Sequence, residues 1–102
     1  MGERTFKEFP HYLTFRHKQD NKWFALIMNV PMNKLGLEGT QEVWIIDLKL
    51  NPELIGLLQQ KRGYFPAYHM NKEHWSSVIL NDETDFAELK NLIDDSYQIT
   101  NS

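Results

Sequence analysis

Lys22-Trp23-Phe24-Ala25-Leu26-Ile27-Met28-Asn29-Val30 and Gln41-Glu42-Val43-Trp44-Ile45-Ile46-Asp47-Leu48-Lys49-Leu50 decide the fold of this chain. Side-chain type in both repeats every second residue, the period of an extended strand. In the first, Phe24, Leu26, Met28 and Val30 form one apolar face, and Trp23, Ala25 and Ile27 make the other apolar as well. In the second, Trp44, Ile46, Leu48 and Leu50 oppose Val43, Ile45, Asp47 and Lys49, so the second face starts apolar and ends polar. Strands apolar on both sides need cover on both. The patches Trp23, Ala25, Ile27 and Val43, Ile45 are expected on the second face, covered by local packing, an N-terminal segment or a second subunit.

Upstream, His11 to His17 alternates, with Leu13 and Phe15 on one side and Tyr12, Thr14 and Arg16 on the other. It reads as a half-buried strand joined to the next by a hairpin at Gln19-Asp20-Asn21. Residues 1–10 read as a lead-in, poorly ordered or an edge segment, and residues 11–102 as a single domain. Pro31 ends the second strand, and Met32 to Thr40, with Gly36 and Gly39, reads as a loop. Downstream, Asn51-Pro52-Glu53 starts a helix: Asn caps free amides, Pro suits the first position and Glu favours the positive end of the dipole. Leu54, Ile55, Leu57 and Leu58 supply its buried stripe, Lys61 and Arg62 suit its negative end, and Gly63 is expected to close it. Trp75 to Leu80 reads as a further strand with Val78 and Leu80 inward. Thr84 is the expected cap of a last helix whose apolar residues are Phe86, Leu89, Leu92, Ile93 and Tyr97. Mostly adjacent strands, then helix, strand, helix, give an α+β fold: two layers, with an antiparallel sheet and helices on one face.

At 102 residues, 41% hydrophobic and 25% charged, the chain has the make-up of one globular domain. Having no Cys, it offers no disulfide, thiol nucleophile or thiolate metal site. No apolar run reaches the length of a membrane span and Met1 to Pro10 is too polar for a signal peptide, so a cytoplasmic protein is expected. The net charge of −3 weighs against a broad electrostatic footprint for nucleic acid but leaves room for a local basic patch.

Gly63 to Trp75 concentrates the unusual chemistry, with two Tyr, a Phe, a Trp, two His, an Asn and a Lys around one Pro. Core segments avoid so many polar tips, and solvent loops avoid so many rings. The stretch reads as a structured connection that packs its rings and presents its tips. Tyr68-His69-Met70-Asn71-Lys72-Glu73-His74-Trp75 resembles the signature of the MmcQ/YjbR family of small bacterial proteins, which usually reads Gly-Tyr-His-Met-Asn-Lys-Lys-His-Trp. Ala67 stands where Gly is usual, and Glu73 where the second Lys is common. Phe15-Arg16-His17-Lys18 and Lys22-Trp23-Phe24-Ala25-Leu26 resemble the family's first strands, and Leu92 to Tyr97 its closing helix. The resemblance runs from about Phe9 to Tyr97. Family members usually begin with a further helix, so the chain is expected to be a short member or only a C-terminal domain.

The resemblance implies a two-layer fold likened to secretion chaperones, and DNA binding through a double-wing motif. Residues here that fit such a role are Arg16, Lys18, Lys22, Lys61, Arg62 and Lys72 for phosphates, with the rings of Tyr64, Tyr68 and Trp75 for bases. Lys18 and Lys22 equally suit a solvated hairpin, and the rings a core. Asp94 and Asp95 fall toward the end of the last helix, where the dipole disfavours anions, so cationic or donor partners are expected among Arg16, Lys72, His69 and His74. That brace, with Asn71 and Trp75, would lock the signature stretch to the helix or form one polar site with it.

Metal and enzyme chemistry find less support. His11 and His17 are too far apart along a strand to share an ion, and no carboxylate stands at ligand spacing from His69 and His74. Ser76 and Ser77 adjoin His74 but alternate faces, and neither a nucleophile elbow nor a glycine-rich phosphate cradle occurs. The expectation is a non-enzymatic binding domain without cofactor, metal or membrane contact. DNA is the first partner. A protein partner or homodimer on the apolar second face is the alternative, and a small-ligand pocket walled by Tyr68, His69, Asn71 and Trp75 comes third.

Overall fold

The two long apolar stretches pair with each other. β3 (Trp23–Pro31) and β4 (Glu42–Lys49) run antiparallel, with Ala25 opposite Leu48, Ile27 opposite Ile46 and Met28 opposite Ile45. Around this pair a computed structural model describes residues 2–3, 13–68 and 70–101. The remaining elements are β1 (Gly2–Glu3), β2 (Leu13–Arg16), a 3-10 turn (Met32–Leu35), α1 (Pro52–Leu58), β5 (Tyr64–Pro66), β6 (Trp75–Leu80) and α2 (Phe86–Thr100). The strands form one antiparallel sheet in the order β1-β2-β3-β4-β6-β5. The fold is α+β, as the alternation predicted. His11 and Tyr12, the start of the expected first strand, lie outside the described residues.

Both helices cover one face. Ile55 and Leu58 of α1 and Leu89 and Leu92 of α2 pack with Ala25, Ile46, Leu48 and Val78. The opposite face holds Leu26, Met28, Val30, Ile45 and Ile79, covered by Leu35 of the 3-10 turn, by Leu37, and by Tyr68 and Met70 of the signature stretch. Loop material, not a third element, makes that second layer.

Several sequence expectations need correcting, each for a local reason. Ala25 and Ile27 share the helix-covered face with Leu48 and Ile46, whereas Val43 and Ile45 lie on the other face with Val30 and Met28. The two apolar patches are therefore not one surface, and Ala25 and Ile45 are buried by the chain itself. A bulge interrupts the β2–β3 pairing: Phe15 faces Ala25 and Arg16 faces Trp23, leaving Phe24 as the extra residue. Phe24 consequently joins the helix side and Trp23 the loop side, the reverse of strict alternation.

α1 starts where expected, with the Asn51 side chain accepting from Glu53 N–H and Pro52 in the first turn. It stops earlier, at Leu58, with Gln59 as its last half-helical residue. Lys61 and Arg62 lie beyond it, and Gly63 (φ 92°) turns the chain into β5, a strand the sequence did not announce. α2 is capped by Asp85, whose carboxylate accepts from Glu88 N–H. Thr84 instead donates to Ile79 C=O and accepts from Asn81 N–H, fixing the turn before the helix. Leu57 and Phe86, expected in the buried stripes, are exposed.

Candidate functional site

The signature stretch is tied to the sheet by backbone groups that find side-chain partners. Tyr68 N–H donates to Ser77 Oγ at 3.0 Å, and the Ser77 hydroxyl donates to Asp47. The Lys72 ammonium donates to Ala67 C=O at 2.9 Å, folding the segment back on itself. Asn71 shapes its end: the side chain accepts from Glu73 N–H, and its carbonyl accepts from the amides of His74 and Trp75. His74 C=O then accepts from Leu50 N–H, joining the loop to the end of β4.

Beneath it lies a residue the sequence reading passed over. Asp47 is fully buried, opposite Leu26 of β3 and Ser77 of β6. Its Oδ2 meets no donor among the described residues. Burial pushes the carboxyl up to about 7, against the opposing pull of the Ser77 hydrogen bond and the Lys72 charge. The available signal was a lone acid inside an otherwise apolar strand. Its burial depends on a loop folding over it, which no strand period records.

Strand register divides the basic candidates into two groups. Arg16 pairs with Trp23, Lys49 with Trp75, and Pro66 with Ser76. The turn at residues 17–22 and the loop at residues 67–74 therefore leave the sheet from the same end. Lys18 and Lys22 are exposed in the first, and Lys72 in the second. Arg16 and Lys49 stand where the strands end, half-buried. Asp20 lies 3.9 Å from Lys22, and Glu53 and Glu73 are the nearby acids at the start of α1 and in the loop. Lys61 and Arg62 lie at the opposite end, since Tyr64 pairs with Val78 and Leu80 with Trp44. Both are ion-paired there, Lys61 with Glu88 and Arg62 with Glu83 at 3.4 Å. Glu88 also accepts from the Tyr64 hydroxyl; these two donors hold its carboxyl below the usual range. Burial, together with that hydrogen bond, pushes the Tyr64 phenol well above its ordinary value. A cavity of about 570 Å³ opens at this end, lined by Leu37, Lys61, Arg62, Phe65, Ile79 and Glu88 among others.

Among the described residues the polar cluster expected from the sequence does not gather around Asp94 and Asp95. Asp94 and Asp95 are exposed, and among the described residues no ion pair or hydrogen bond reaches either carboxylate. α2 continues to Thr100, so both stand in mid-helix, away from the negative end that motivated the expectation. Asn71 and His74 are exposed, Trp75 is buried and Tyr68 is half-buried against the loop-side core. A base-stacking role for Tyr68 or Trp75, or one pocket walled by both, therefore has little surface to use. His69 lies outside the described residues.

The polar contact that does dock α2 involves His17. Its ring is buried between Phe24 and Tyr97, with centroids 5.1 Å and 4.3 Å away, and its Nε2 lies 2.5 Å from Thr100 Oγ1. Thr100 Oγ1 donates to Ser96 C=O, so it accepts from Nε2–H. Among the described residues no cluster of three or more His, Asp or Glu could hold a metal ion, and no helix is long and apolar enough to cross a membrane.

The family model described as YjbR matches residues 3–99. An uncharacterized Bacillus subtilis protein, YyaQ, is 41% identical over 95 residues, covering 93% of this chain and 80% of its own. An uncharacterized Escherichia coli protein, YjbR, is 41% identical over 54 residues, or 52% of this chain and 46% of its own. A Pseudomonas syringae crystal structure superposes with a TM-score of 0.94 at 47% identity, covering 97% of this chain and 85% of its own. A Deinococcus radiodurans structure with a DUF419 domain reaches a TM-score of 0.73 at 23% identity, a likeness of fold, covering 97% of this chain and 66% of its own.

Proposed function

The chain belongs to the YjbR family, and on that premise we propose that it is a non-enzymatic cytoplasmic binding module that engages DNA with one end of its sheet. The observation that carries the reading is the pairing of two cation-bearing loops at that end, residues 17–22 and residues 67–74. Their midpoints are three strand spacings apart in the sheet order, about 14 Å, close to the roughly 12 Å width of a duplex major groove. Lys18, Lys22 and Lys72 are exposed on the loops, Lys49 ends the strand between them and Arg16 ends β2 where the first loop begins, so phosphates could be met on both sides of a groove. The overall charge of −3 makes the contact local. Lys61 and Arg62 drop out of the reading because they sit at the opposite end with acidic partners. The relatives are named only as uncharacterized, so their names add nothing to it.

The test is a titration of isotope-labelled protein with short duplex and single-stranded DNA at two salt concentrations, followed by backbone amide shifts. Shifts are expected at Lys18, Lys22 and Lys72, weakening steeply with salt, and lost in Lys18→Glu with Lys72→Glu. An absence of shifts at low salt sinks the reading; shifts centred on Lys61 and Arg62 move the surface to the other end.

A second reading, a protein-interaction module, is favoured by Trp44, which is 43% exposed on the helix-covered side of β4. A complex that tolerates salt and is lost in Trp44→Lys would support it.

A further inference from the structure

One flank of α2 carries large apolar side chains that its own sheet leaves open. α2 lies along β3 and β4, and α1 along β6. On one flank of α2, Glu88 is bonded to Tyr64 of β5 and to Lys61. The opposite flank faces β2, since the Tyr97 ring lies 4.3 Å from that of His17, the residue after β2. That flank carries Phe86, Lys90, Ile93 and Tyr97, spaced by four, three and four residues. This is the seam spacing of helices that pair with other helices. Phe86 is 61% and Tyr97 40% exposed, and Ile93 is half-buried. Single exposed apolar residues are ordinary on a surface, but a line of them at seam spacing marks a contact.

The charges along this flank choose the partner. Lys90 and Asp94 are exposed, and among the described residues neither has an ion pair or a side-chain hydrogen bond. Within one helix, a lysine four residues before an acid is the weaker order for pairing. Across an antiparallel two-fold the same residues fit. When Phe86 of one copy lies against Tyr97 of a second copy, Lys90 falls beside Ile93 of that copy and one position from its Asp94. Each lysine stem then lies on an isoleucine while its ammonium meets an aspartate. The two-fold repeats every contact, as a self-complementary interface requires. A single lysine in such a seam also fixes register and strand number. A partner bearing one sign of charge would satisfy only one of the two residues.

We propose that α2 is a homodimerisation helix: two copies pair antiparallel through Phe86, Lys90, Ile93, Asp94 and Tyr97. From Phe86 to Tyr97 the contact runs about 16 Å along the helix, so the dimer is small and reversible. It goes beyond both readings given above. α2 ends at Thr100 beside His17, so an antiparallel pair directs the two turns at residues 17–22 away from each other, and Trp44 takes no part.

The experiment is sedimentation velocity of the whole chain from about 10 μM to about 1 mM, at two salt concentrations. A reversible monomer–dimer equilibrium is expected. Ile93→Asp should give a monomer at every concentration. Ile99→Asp, at an exposed apolar residue on the Glu88 flank, should leave the dimer intact. Lys90→Asp and Asp94→Lys should each weaken self-association roughly tenfold or more. Mixed in equal amounts, these two variants should pair as tightly as the parent, because every aspartate then faces a lysine. Unchanged helical circular dichroism in each variant separates loss of pairing from loss of folding. A single monomeric species across the range, a dimer indifferent to Ile93→Asp, or a mixture no tighter than either variant alone overturns the proposal.

Discussion

The two faces of the sheet are covered by different material, and their buried polar groups differ accordingly. The helix-covered face is apolar where α1 and α2 sit, with Ala25, Ile46, Leu48 and Val78 beneath Ile55, Leu58, Leu89 and Leu92. The loop-covered face carries a buried row across four strands, in which Thr14 faces Leu26, Leu26 faces Asp47 and Asp47 faces Ser77. A helix arrives with its own amides paired, so it can lie on an apolar surface. A loop arrives with amides still seeking acceptors, and the surface under it must supply them. Ser77 does so for Tyr68, and the acid behind Ser77 follows from the need to orient that hydroxyl.

The largest expected effect separates the faces by pH. Asp47 has a raised folded value of about 7 against 3.8 for the free side chain. Folding therefore binds the proton more tightly, and this group's contribution is full below about pH 4 and falls as pH rises to about 7, by up to ~4 kcal/mol. Asp47→Asn should remove that slope, leaving the variant more stable than the parent at pH 8 in denaturant titrations. A slope that survives Asp47→Asn would mean that another group carries it. Next, Leu48→Ala on the helix side should cost about 3 kcal/mol at every pH and leave the slope intact. A loss that varied with pH would show that the two faces are not independent. The smallest effect concerns Ser96, the polar residue of α2 at the β3–β4 seam. Its hydroxyl donates to Phe24 C=O and accepts Lys49 N–H at 3.1 Å. Ser96→Ala strands both backbone groups and should cost about 2 kcal/mol in the same titration. A loss under half that would mean that water replaces the hydroxyl.

What the sequence disclosed was local. Asn51-Pro52-Glu53 announces a helix because cap, first-turn proline and acid all act within four residues, and β2, β3, β4 and β6 announce themselves as extended apolar runs. What it withheld depended on distant partners. The exchange of Trp23 and Phe24 between faces follows from a bulge against β2, and no period within β3 records it. Gly63 carries the positive φ expected of a helix-ending glycine, yet it serves a three-residue strand that exists by pairing with β6. The basic residues were legible as residues, but their division between two ends appears only once register is fixed. Asp94 and Asp95 misled because the helix runs on past them to Thr100.

Ser96 has one more consequence. Regular pairing of β3 with β4 reaches Ala25 and Leu48, and next to it Phe24 C=O and Lys49 N–H are joined through a helix side chain. The Lys49 amide is thus protected from solvent exchange by α2 instead of by a neighbouring strand. Whenever α2 lifts, that amide opens while those within the β3–β4 ladder stay closed. Its exchange rate then measures the free energy of detaching one helix from an intact sheet.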